Sequence, residues 1–336
     1  MTSKPLRALA LAVCLLAGSA HAEGKLRIAA QYGVVYLMLN VAQDQKLIEK
    51  HGKREGIDIA VDWIKLSGGN AANDALLSGA IDIAGAGVGP LLTIWDRTRG
   101  RQDVRGVASL GNFPYQLIST NPAVKSIADL SDKDRVALPA ATVSVQARLL
   151  QMAAAKQWGI EQFKRLDRYT QSLPHPDAAA AVIAGGTEIN GHFATRPYQE
   201  QELAGNPSAH MLLDSYEVQG GPGSSTVLYA TASYLKDNPK TYRALVGALT
   251  EAAAFIKAHP EQAADAYLRV NTVKAGSPID RALLLKVISN PKVDFKVVPQ
   301  NTWGMADFMT RAGALKNRPA SWRDYFFEHP ALAARS

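Results

Sequence analysis

The fold is decided by residues 78–92, whose sequence is SGAIDIAGAGVGPLL. The short stretch from Ile81 to Ala84, which is apolar except for Asp82, predicts a strand, and the glycine-rich stretch Gly85 to Gly89 predicts a loop directly after it. Pro90 then predicts the start of a helix, because a first helical turn does not need the N–H that proline lacks. A strand, a tight loop and a helix in this order form the repeating unit of an α/β protein.

The same unit recurs on both sides of this stretch. Before it, the pattern predicts a strand from Leu26 to Ala30, a helix from Tyr36 to His51 and a strand from Ile57 to Leu66. After it, a second series of predicted elements comprises strands at Arg135 to Leu138, Lys164 to Tyr169, Glu188 to Phe193 and Met211 to Asp214, with helices at 144–158, 177–184 and 197–203. Strands that alternate with helices predict parallel sheets with helices on both faces.

The N-terminus predicts export. Lys4 and Arg7 flank the start of an apolar run that continues to Ala17, and small residues follow up to Ala22. This pattern is typical of a cleavable signal peptide, here residues 1–22, and the run is shorter than the ~20 apolar residues that span a membrane. The sequence before Cys14 also resembles a lipidation signal, but Val13 is large for that position. We therefore expect the mature protein to begin at residue 23 and to be periplasmic.

Composition excludes several kinds of site. The chain has 37 Lys and Arg against 30 Asp and Glu, spread along its length, which disfavours nucleic acid binding. Its only cysteine, Cys14, leaves with the predicted signal peptide, so disulfides, thiolate metal sites and cysteine nucleophiles are not expected. His, Asp and Glu do not cluster at the spacing of metal ligands, and no metal or other cofactor is expected.

Three segments together resemble the solute-binding proteins of bacterial ABC importers. They are SGAIDIAGAGVGPLL (78–92), SIADLSDKDRVALPAAT (126–142) and HPDAAAAVIAGGTEINGHFATRPY (175–198). The resemblance covers the whole mature chain and is to the group that handles sulfonates, taurine, nitrate, aromatic carboxylates or thiamine-type pyrimidines. It implies the type II periplasmic binding protein fold, in which two α/β lobes based on parallel sheets are joined by two hinge crossings.

The resemblance also implies a domain order. The first lobe is expected to span residues 23–118, the second lobe residues 119–222, and the mostly helical residues 223–336 are expected to return to the first lobe. The two crossings are expected near Tyr115 to Asn121 and near Gln219 to Thr226. Two lobes also agree with length, since a single hydrophobic core stops growing near ~250 to 300 residues.

Ligands of open α/β sheets bind beyond the carboxyl ends of the strands, where loops meet helix N-termini. Unpaired N–H groups and the helix dipole favour an anion there. The candidate ligand-binding residues lie in these loops: Gln31, Tyr32, Tyr36, Ser67, Gly68, Asn70, Gly87, Val88, Thr142, Ser144, Asn190, His192 and Arg196. Ser, Thr and Asn at these positions are also explained as N-caps. His192 is also explained as a hydrogen-bonded buried residue, and Arg196 as a solvated or bridging one. His175, between two prolines, is interpreted as a turn residue.

We therefore expect a monomeric binding protein that captures a small organic anion and delivers it to an ABC permease in the inner membrane. A thiamine-precursor pyrimidine is the alternative ligand, and delivery to a sensor is the alternative role. An enzyme is not expected: the pyrimidine-precursor synthase of fungi resembles this group, but relies on a cysteine-rich segment that the mature chain lacks. The HExxH, GxSxG and Walker motifs are also absent from the sequence.

Overall fold

The computed structural model describes residues 23–273 and 277–333; the predicted signal peptide, residues 1–22, lies outside them. The strands in this part of the chain are Lys25–Ala30 (β1), Ala60–Lys65 (β2), Ile83–Gly87 (β3), Arg105–Ser109 (β4), Gln116–Ser119 (β5), Val136–Leu138 (β6), Thr170–Ser172 (β7), Gly191–Ala194 (β8), His210–Asp214 (β9) and Thr226–Ala230 (β10). The helices are Leu37–Asp44 (α1), Leu47–Arg54 (α2), Gly69–Leu77 (α3), Val88–Thr98 (α4), Val145–Trp158 (α5), His175–Ala184 (α6), Tyr198–Gly205 (α7), Ser215–Gln219 (α8), Ala232–Asp237 (α9), Pro239–Ala258 (α10), Pro260–Val270 (α11), Arg281–Ile288 (α12), Trp303–Arg311 (α13) and Pro330–Ala333 (α14). None of these helices has the length and apolarity that crossing a bilayer requires.

The strands form two five-stranded sheets, one in each lobe. The first has the order β2-β1-β3-β10-β4 and the second the order β7-β6-β8-β5-β9. In each sheet three strands are parallel, as predicted, and alternate with helices along the chain. The remaining pairings are antiparallel, because β10 and β5 follow the passages between the lobes and enter the sheets in the opposite direction. The predicted two-lobed α/β architecture is confirmed, with sheets that are mixed rather than purely parallel.

Two passages connect the lobes, one between Ser109 and Gln116 and the other between Asp214 and Thr226. They are bonded to each other. The Tyr115 hydroxyl lies 2.7 Å from Oγ1 of Thr226, and Ser109 Oγ donates to Ser224 Oγ at 2.9 Å. The finer lobe boundaries at 118/119 and 222/223 stay a prediction.

The C-terminal region packs against the first lobe. Helix α10 contacts α1 and α2, and α11 contacts α1. The last segment of the chain then pairs with the edge strand β4: the Gly106 N–H donates to the Tyr325 carbonyl, and the Phe327 N–H donates to the Gly106 carbonyl, each at 2.8 Å. Phe326 lies against Gly106 and is 1% exposed. This segment covers a sheet edge that would otherwise present unpaired backbone groups.

The loop predicted from Gly85 to Gly89 is not present. Strand β3 continues to Gly87, and α4 begins directly after it at Val88.

Two further predicted elements differ from the observed ones. The helix predicted from Tyr36 to His51 is divided into α1 and α2 by Lys46, which has a left-handed backbone with φ of 52°. The strand predicted from Lys164 to Tyr169 is a 3-10 turn at its end, and β7 starts only at Thr170. Buried Leu166 and Tyr169 are three residues apart, which is the period of a 3-10 turn and not of a strand.

Candidate functional site

The carboxyl ends of the parallel strands of both sheets meet at a narrow space between the lobes, which we call the interlobe cavity. Its wall from the first lobe and the passages is formed by Gln31, Tyr32, Val35, Tyr36, Gly69, Gly87, Pro90, Tyr115 and Thr226. Its wall from the second lobe is formed by Pro139, Ser144, Val145, Gln146, His175 and Thr195. This is the position at which open α/β sheets bind ligands.

The lobes are closed on this cavity. Its free volume is about 30 Å³, which is room for about one or two water molecules. A solute of several heavy atoms therefore enters only when the lobes separate. Two-lobed proteins of this kind open and close by a hinge motion.

Glycines of the first lobe allow the close approach. The Val34 N–H, next to Gly33, donates to the Arg196 carbonyl at 2.9 Å. A Cβ at Gly33 would lie 2.8 Å from that carbonyl oxygen, and one at Gly68 would lie 2.4 Å from the Pro139 oxygen. Gly87 and Gly89 likewise contact the residues at the start of α5. The contacts that close the cavity thus pass through positions without a side chain.

Four helices begin at the cavity wall. Helices α3, α4 and α6 start at Gly69, Val88 and His175. None of the three has a side-chain N-cap, because the preceding residues are glycine, glycine and proline. Helix α5 is capped by Ser144, whose Oγ accepts the Ala147 N–H at 3.1 Å. Helix N-termini carry partial positive charge and N–H groups without an intrahelical partner, of which the Val88 N–H is here bonded to the Ser225 carbonyl. Their convergence makes the cavity favourable for a negatively charged group.

Most polar groups of the first-lobe wall are already bonded to the protein. Gln31 Nε2 and the Tyr36 hydroxyl both donate to the Gly85 carbonyl, at 3.1 and 3.2 Å. Burial raises the pKa of Tyr36 well above its usual value and that of Tyr115 to about 12, so both phenols are neutral hydrogen-bonding groups. These side chains give the wall its aromatic surface and a fixed geometry.

Thr195 differs from the other polar wall residues. It follows β8 directly, is 1% exposed, and its Oγ1 is buried without a hydrogen-bond partner among the described residues. A buried polar atom without a partner costs about 1–3 kcal/mol. An acceptor or donor on a bound solute would recover that cost, which makes Thr195 a candidate ligand contact.

Replacing Thr195 with Val is expected to weaken solute binding about tenfold or more, because a hydrogen bond to a charged group is lost. The free energy of unfolding without solute should stay the same or rise by up to about 1 kcal/mol, since valine has the same shape and no unpaired hydroxyl. Isothermal titration calorimetry and urea denaturation measure the two effects. Thr310→Val is the control, because its hydroxyl bonds within α13 to Ala306. Equal affinity of Thr195→Val and the parent protein would contradict the assignment.

No Asp, Glu, Lys or Arg occurs among the described residues that line the cavity. The nearby cation Lys65 is not a lining residue: its Nζ donates to the Gln31 carbonyl at 3.0 Å and stands 5.4 Å from the centre of the Tyr32 ring. Burial lowers the pKa of Lys65. Any anion in the cavity would thus be held mainly by neutral donors and helix N-termini.

A hydrogen-bonded row of buried side chains runs from the cavity into the second lobe. Gln146 Nε2 lies 3.1 Å from His175 Nε2, His175 Nδ1 lies 2.7 Å from His192 Nε2, and His192 Nδ1 lies 2.5 Å from Oε1 of Glu202. We call these four residues the buried relay. Both His192 and Glu202 have no exposed surface. Burial raises the pKa of Glu202 to about 9 and lowers that of His192 to about 3, and it lowers the pKa of His175 well below its usual value.

The structure brings some of the predicted site residues together. Gln31, Tyr32, Tyr36, Gly87 and Ser144 line the cavity. Other predicted residues take the following places: Gly68 contacts the opposite lobe at Pro139, Val88 donates its N–H to the Ser225 carbonyl, His192 belongs to the buried relay, and Arg196 is buried and paired with Glu200.

Four further predicted residues also do not line the cavity. Ser67, Asn70 and Thr142 are exposed. Asn190 lies before β8, at the opposite end of that strand from Thr195, where its amide bonds to Asp134 and accepts the Arg135 N–H. These interactions fix the turns on the far side of the second sheet.

Sequence reasoning missed several wall residues, above all His175, Gln146, Thr195 and Tyr115. His175 is not a simple turn residue: it is the first residue of α6 and is 4% exposed, with its ring stacked on Tyr198. His175 follows the carboxyl end of β7, which is a position that faces the cavity. The sequence pattern placed this strand at Lys164 to Tyr169, several residues too early, so that His175 did not directly follow the predicted strand. In the described residues no three His, Cys, Asp or Glu side chains are grouped to hold a metal ion.

Comparison with known proteins identifies the family and agrees with the two-lobed fold. The profile of the NMT1-like family matches residues 25–270. No curated protein matches the chain. Among solved structures, the chain resembles the alkanesulfonate-binding protein SsuA from Xanthomonas axonopodis pv. citri bound to MOPS, with 20% identity, a TM-score of 0.68 and coverage of 88% of this chain and 95% of that one.

Two further structures have the same fold. The periplasmic aliphatic sulphonate binding protein SsuA from Escherichia coli is 19% identical, with a TM-score of 0.62 and coverage of 91% and 99% of the two chains. A protein from Methylobacillus flagellatus KT, described as the periplasmic sulfonate-binding component of a sulfonate ABC transporter, is 15% identical, with a TM-score of 0.61 and coverage of 92% of each. At these identities the likeness establishes the two-lobed periplasmic binding protein fold.

Proposed function

The chain belongs to the NMT1-like family, and we propose that it is the solute-binding component of an ABC importer, which holds a small organic anion in the interlobe cavity. The carrying observation is the wall itself: four helix N-termini converge on a closed cavity whose described lining has no acidic side chain and contains the unpartnered hydroxyl of Thr195. Such an environment stabilises negative charge with neutral donors.

The ligand class follows from this chemistry. A sulfonate or carboxylate offers several acceptor oxygens to the N–H groups, while Tyr32, Tyr36 and Tyr115 provide contact for an apolar or aromatic body. The names of the three structural relatives described above all refer to sulfonate binding, which supports sulfonates as the first class to test. A neutral thiamine-precursor pyrimidine is the competing ligand, since no charged side chain among the described lining residues requires a charged partner.

The proposed role is binding and delivery, without a catalytic step. The protein would act as a monomer in the periplasm and present its closed lobes to a permease of the inner membrane. Delivery to a sensor would use the same closure and remains the competing role. The buried state of the cavity supports both, because a partner can recognise the closed arrangement of the lobes.

A thermal-shift panel on residues 23–336 tests the proposed ligand class. Methanesulfonate, taurine, nitrate, benzoate and a thiamine-precursor pyrimidine would each be added, with sodium chloride at equal ionic strength as the control. A ligand at 100 times its dissociation constant adds ~2.7 kcal/mol of stability and raises the melting temperature. We expect a shift with a sulfonate or carboxylate. A shift with the pyrimidine alone would contradict an anion cavity.

A further inference from the structure

The buried relay has two possible directions of hydrogen bonding, and a single proton selects between them. When Glu202 is protonated, its hydroxyl donates to His192 Nδ1. His192 then donates from Nε2 to His175 Nδ1, and His175 donates from Nε2 towards Gln146. Rotation of the Gln146 amide by 180° presents its oxygen to His175 and its NH₂ group to the cavity, since nitrogen and oxygen exchange places.

When Glu202 is ionised, every hydrogen bond of the relay reverses. His192 donates from Nδ1 to the carboxylate, and its Nε2 accepts from His175 Nδ1. His175 Nε2 then accepts from the Gln146 amide nitrogen, so Gln146 presents its carbonyl oxygen to the cavity. The same four residues thus offer a donor in one state and an acceptor in the other.

We propose that Gln146 is a ligand-selecting residue whose donor or acceptor character is set by the protonation of Glu202 through His192 and His175. The protonated state presents the amide donor and favours an anion, whereas the ionised state presents an oxygen and opposes it. This inference rests on the proposed function for its ligand, and on the relay geometry for the switch itself.

The surroundings of the relay favour the protonated state near neutral pH. Strands β5 and β6, which flank β8, have the sequences QLIS and VAL and carry no titratable side chain. On the helices, the titratable and charged neighbours are Tyr198, stacked on His175, the Arg196–Glu200 ion pair at the start of α7, and Asp177 in the first turn of α6.

None of these neighbours stabilises a negative charge on Glu202. Its Oε2 has no hydrogen-bond partner among the described residues, and burial alone raises its pKa to about 9. An unpaired carboxylate without solvent is costly. The donor state is therefore the expected state below about pH 9, and the acceptor state gains population as the pH rises above it.

The switch can be observed without any ligand. In protein labelled with ¹⁵N-histidine, nitrogen chemical shifts report which ring nitrogen carries the proton. We expect His175 and His192 to be protonated at Nε2 at pH 7 and to change to Nδ1 by pH 10.5. Glu202→Gln should abolish this change, because the amide does not ionise. Glu188→Gln, an exposed site just before β8, should leave it intact. Tautomers that do not respond to pH in the parent protein would overturn the switch.

The consequence for binding is tested with methanesulfonate, which stays ionised throughout this range. We expect its Kd to be constant from pH 7 to 8 and to increase tenfold or more by pH 10.5, because a hydrogen-bond donor to the charged sulfonate is lost. In Glu202→Gln and in Gln146→Leu the ratio of the two Kd values should fall to about 1, whereas Glu188→Gln should retain the parent ratio.

The two experiments separate the two ideas. If the tautomers switch but the Kd of methanesulfonate is independent of pH, the assignment of Gln146 is overturned and the proposed function stands. If the tautomers switch and methanesulfonate does not bind, the sulfonate ligand is overturned and the relay stands. Gln146→Leu also provides a second variant in case Glu202→Gln does not fold, because it alters only the cavity end of the relay.

Discussion

Gly68→Ala is expected to weaken solute binding by about 100-fold or more while leaving the unliganded protein folded. The added Cβ would lie 2.4 Å from the Pro139 carbonyl oxygen of the opposite lobe, a distance that requires the lobes to move apart. Gly68 has an extended backbone with φ of −173°, which alanine adopts without strain. The clash therefore exists only in the closed arrangement, and a 100-fold loss corresponds to about 2.7 kcal/mol of closing free energy.

Calorimetric titration measures the affinity of Gly68→Ala, and small-angle X-ray scattering shows whether saturating solute still compacts the molecule. Gly304→Ala is the matched control, because a Cβ there meets no atom within 4 Å and the residue lies in α13. It should leave the affinity unchanged and raise the unfolding free energy by up to about 1 kcal/mol. Tight binding by Gly68→Ala would show that the closed lobes are not the binding form.

Phe326→Ala is expected to lower the free energy of unfolding by about 3–5 kcal/mol, the usual cost of truncating a buried aromatic side chain. Phe326 is 1% exposed, and its ring lies where a Cβ on Gly106 would be only 2.3 Å away. The flanking residues Tyr325 and Phe327 bond to both backbone groups of Gly106. Losing the ring therefore weakens both a packed contact and the cover over the edge of the first sheet.

Urea denaturation of Phe326→Ala and of Phe327→Ala measures this difference. Phe327 is partly exposed, so its truncation should cost less than half as much, although it is the next residue. Neither side chain reaches the interlobe cavity, and the affinity of the folded fraction for solute should be unchanged. A loss below about 1 kcal/mol for Phe326→Ala would contradict the structural role of this segment.

The sequence alone allowed the architecture to be predicted, because alternating strands and helices have strong local patterns. It did not predict that β10 lies between β3 and β4, since no local signal records which strands become neighbours. The division of the first helix at Lys46 was missed for a similar reason. A left-handed lysine has no compositional signature, and the apolar spacing continues across it.

The site was predicted where strand and loop boundaries were clear, as for Gln31, Tyr32 and Ser144. The prediction did not include His175 and Gln146, which reach the cavity only because α5 and α6 begin there. Conversely, Thr142 has the residue type and loop position of a ligand contact, but it faces solvent. The direction of a side chain in a loop depends on the packing of both lobes, which a single sequence does not display.

The position of β10 also governs the order in which the molecule can assemble. Strands β3 and β4 are adjacent in the chain, yet they are joined in the sheet only through Thr226–Ala230. The second sheet, in contrast, uses a continuous segment from Gln116 to Asp214. If the chain emerges N-terminus first, the middle of the polypeptide can fold before β10 has emerged to complete the first sheet. The part of the protein that is made first is therefore completed last.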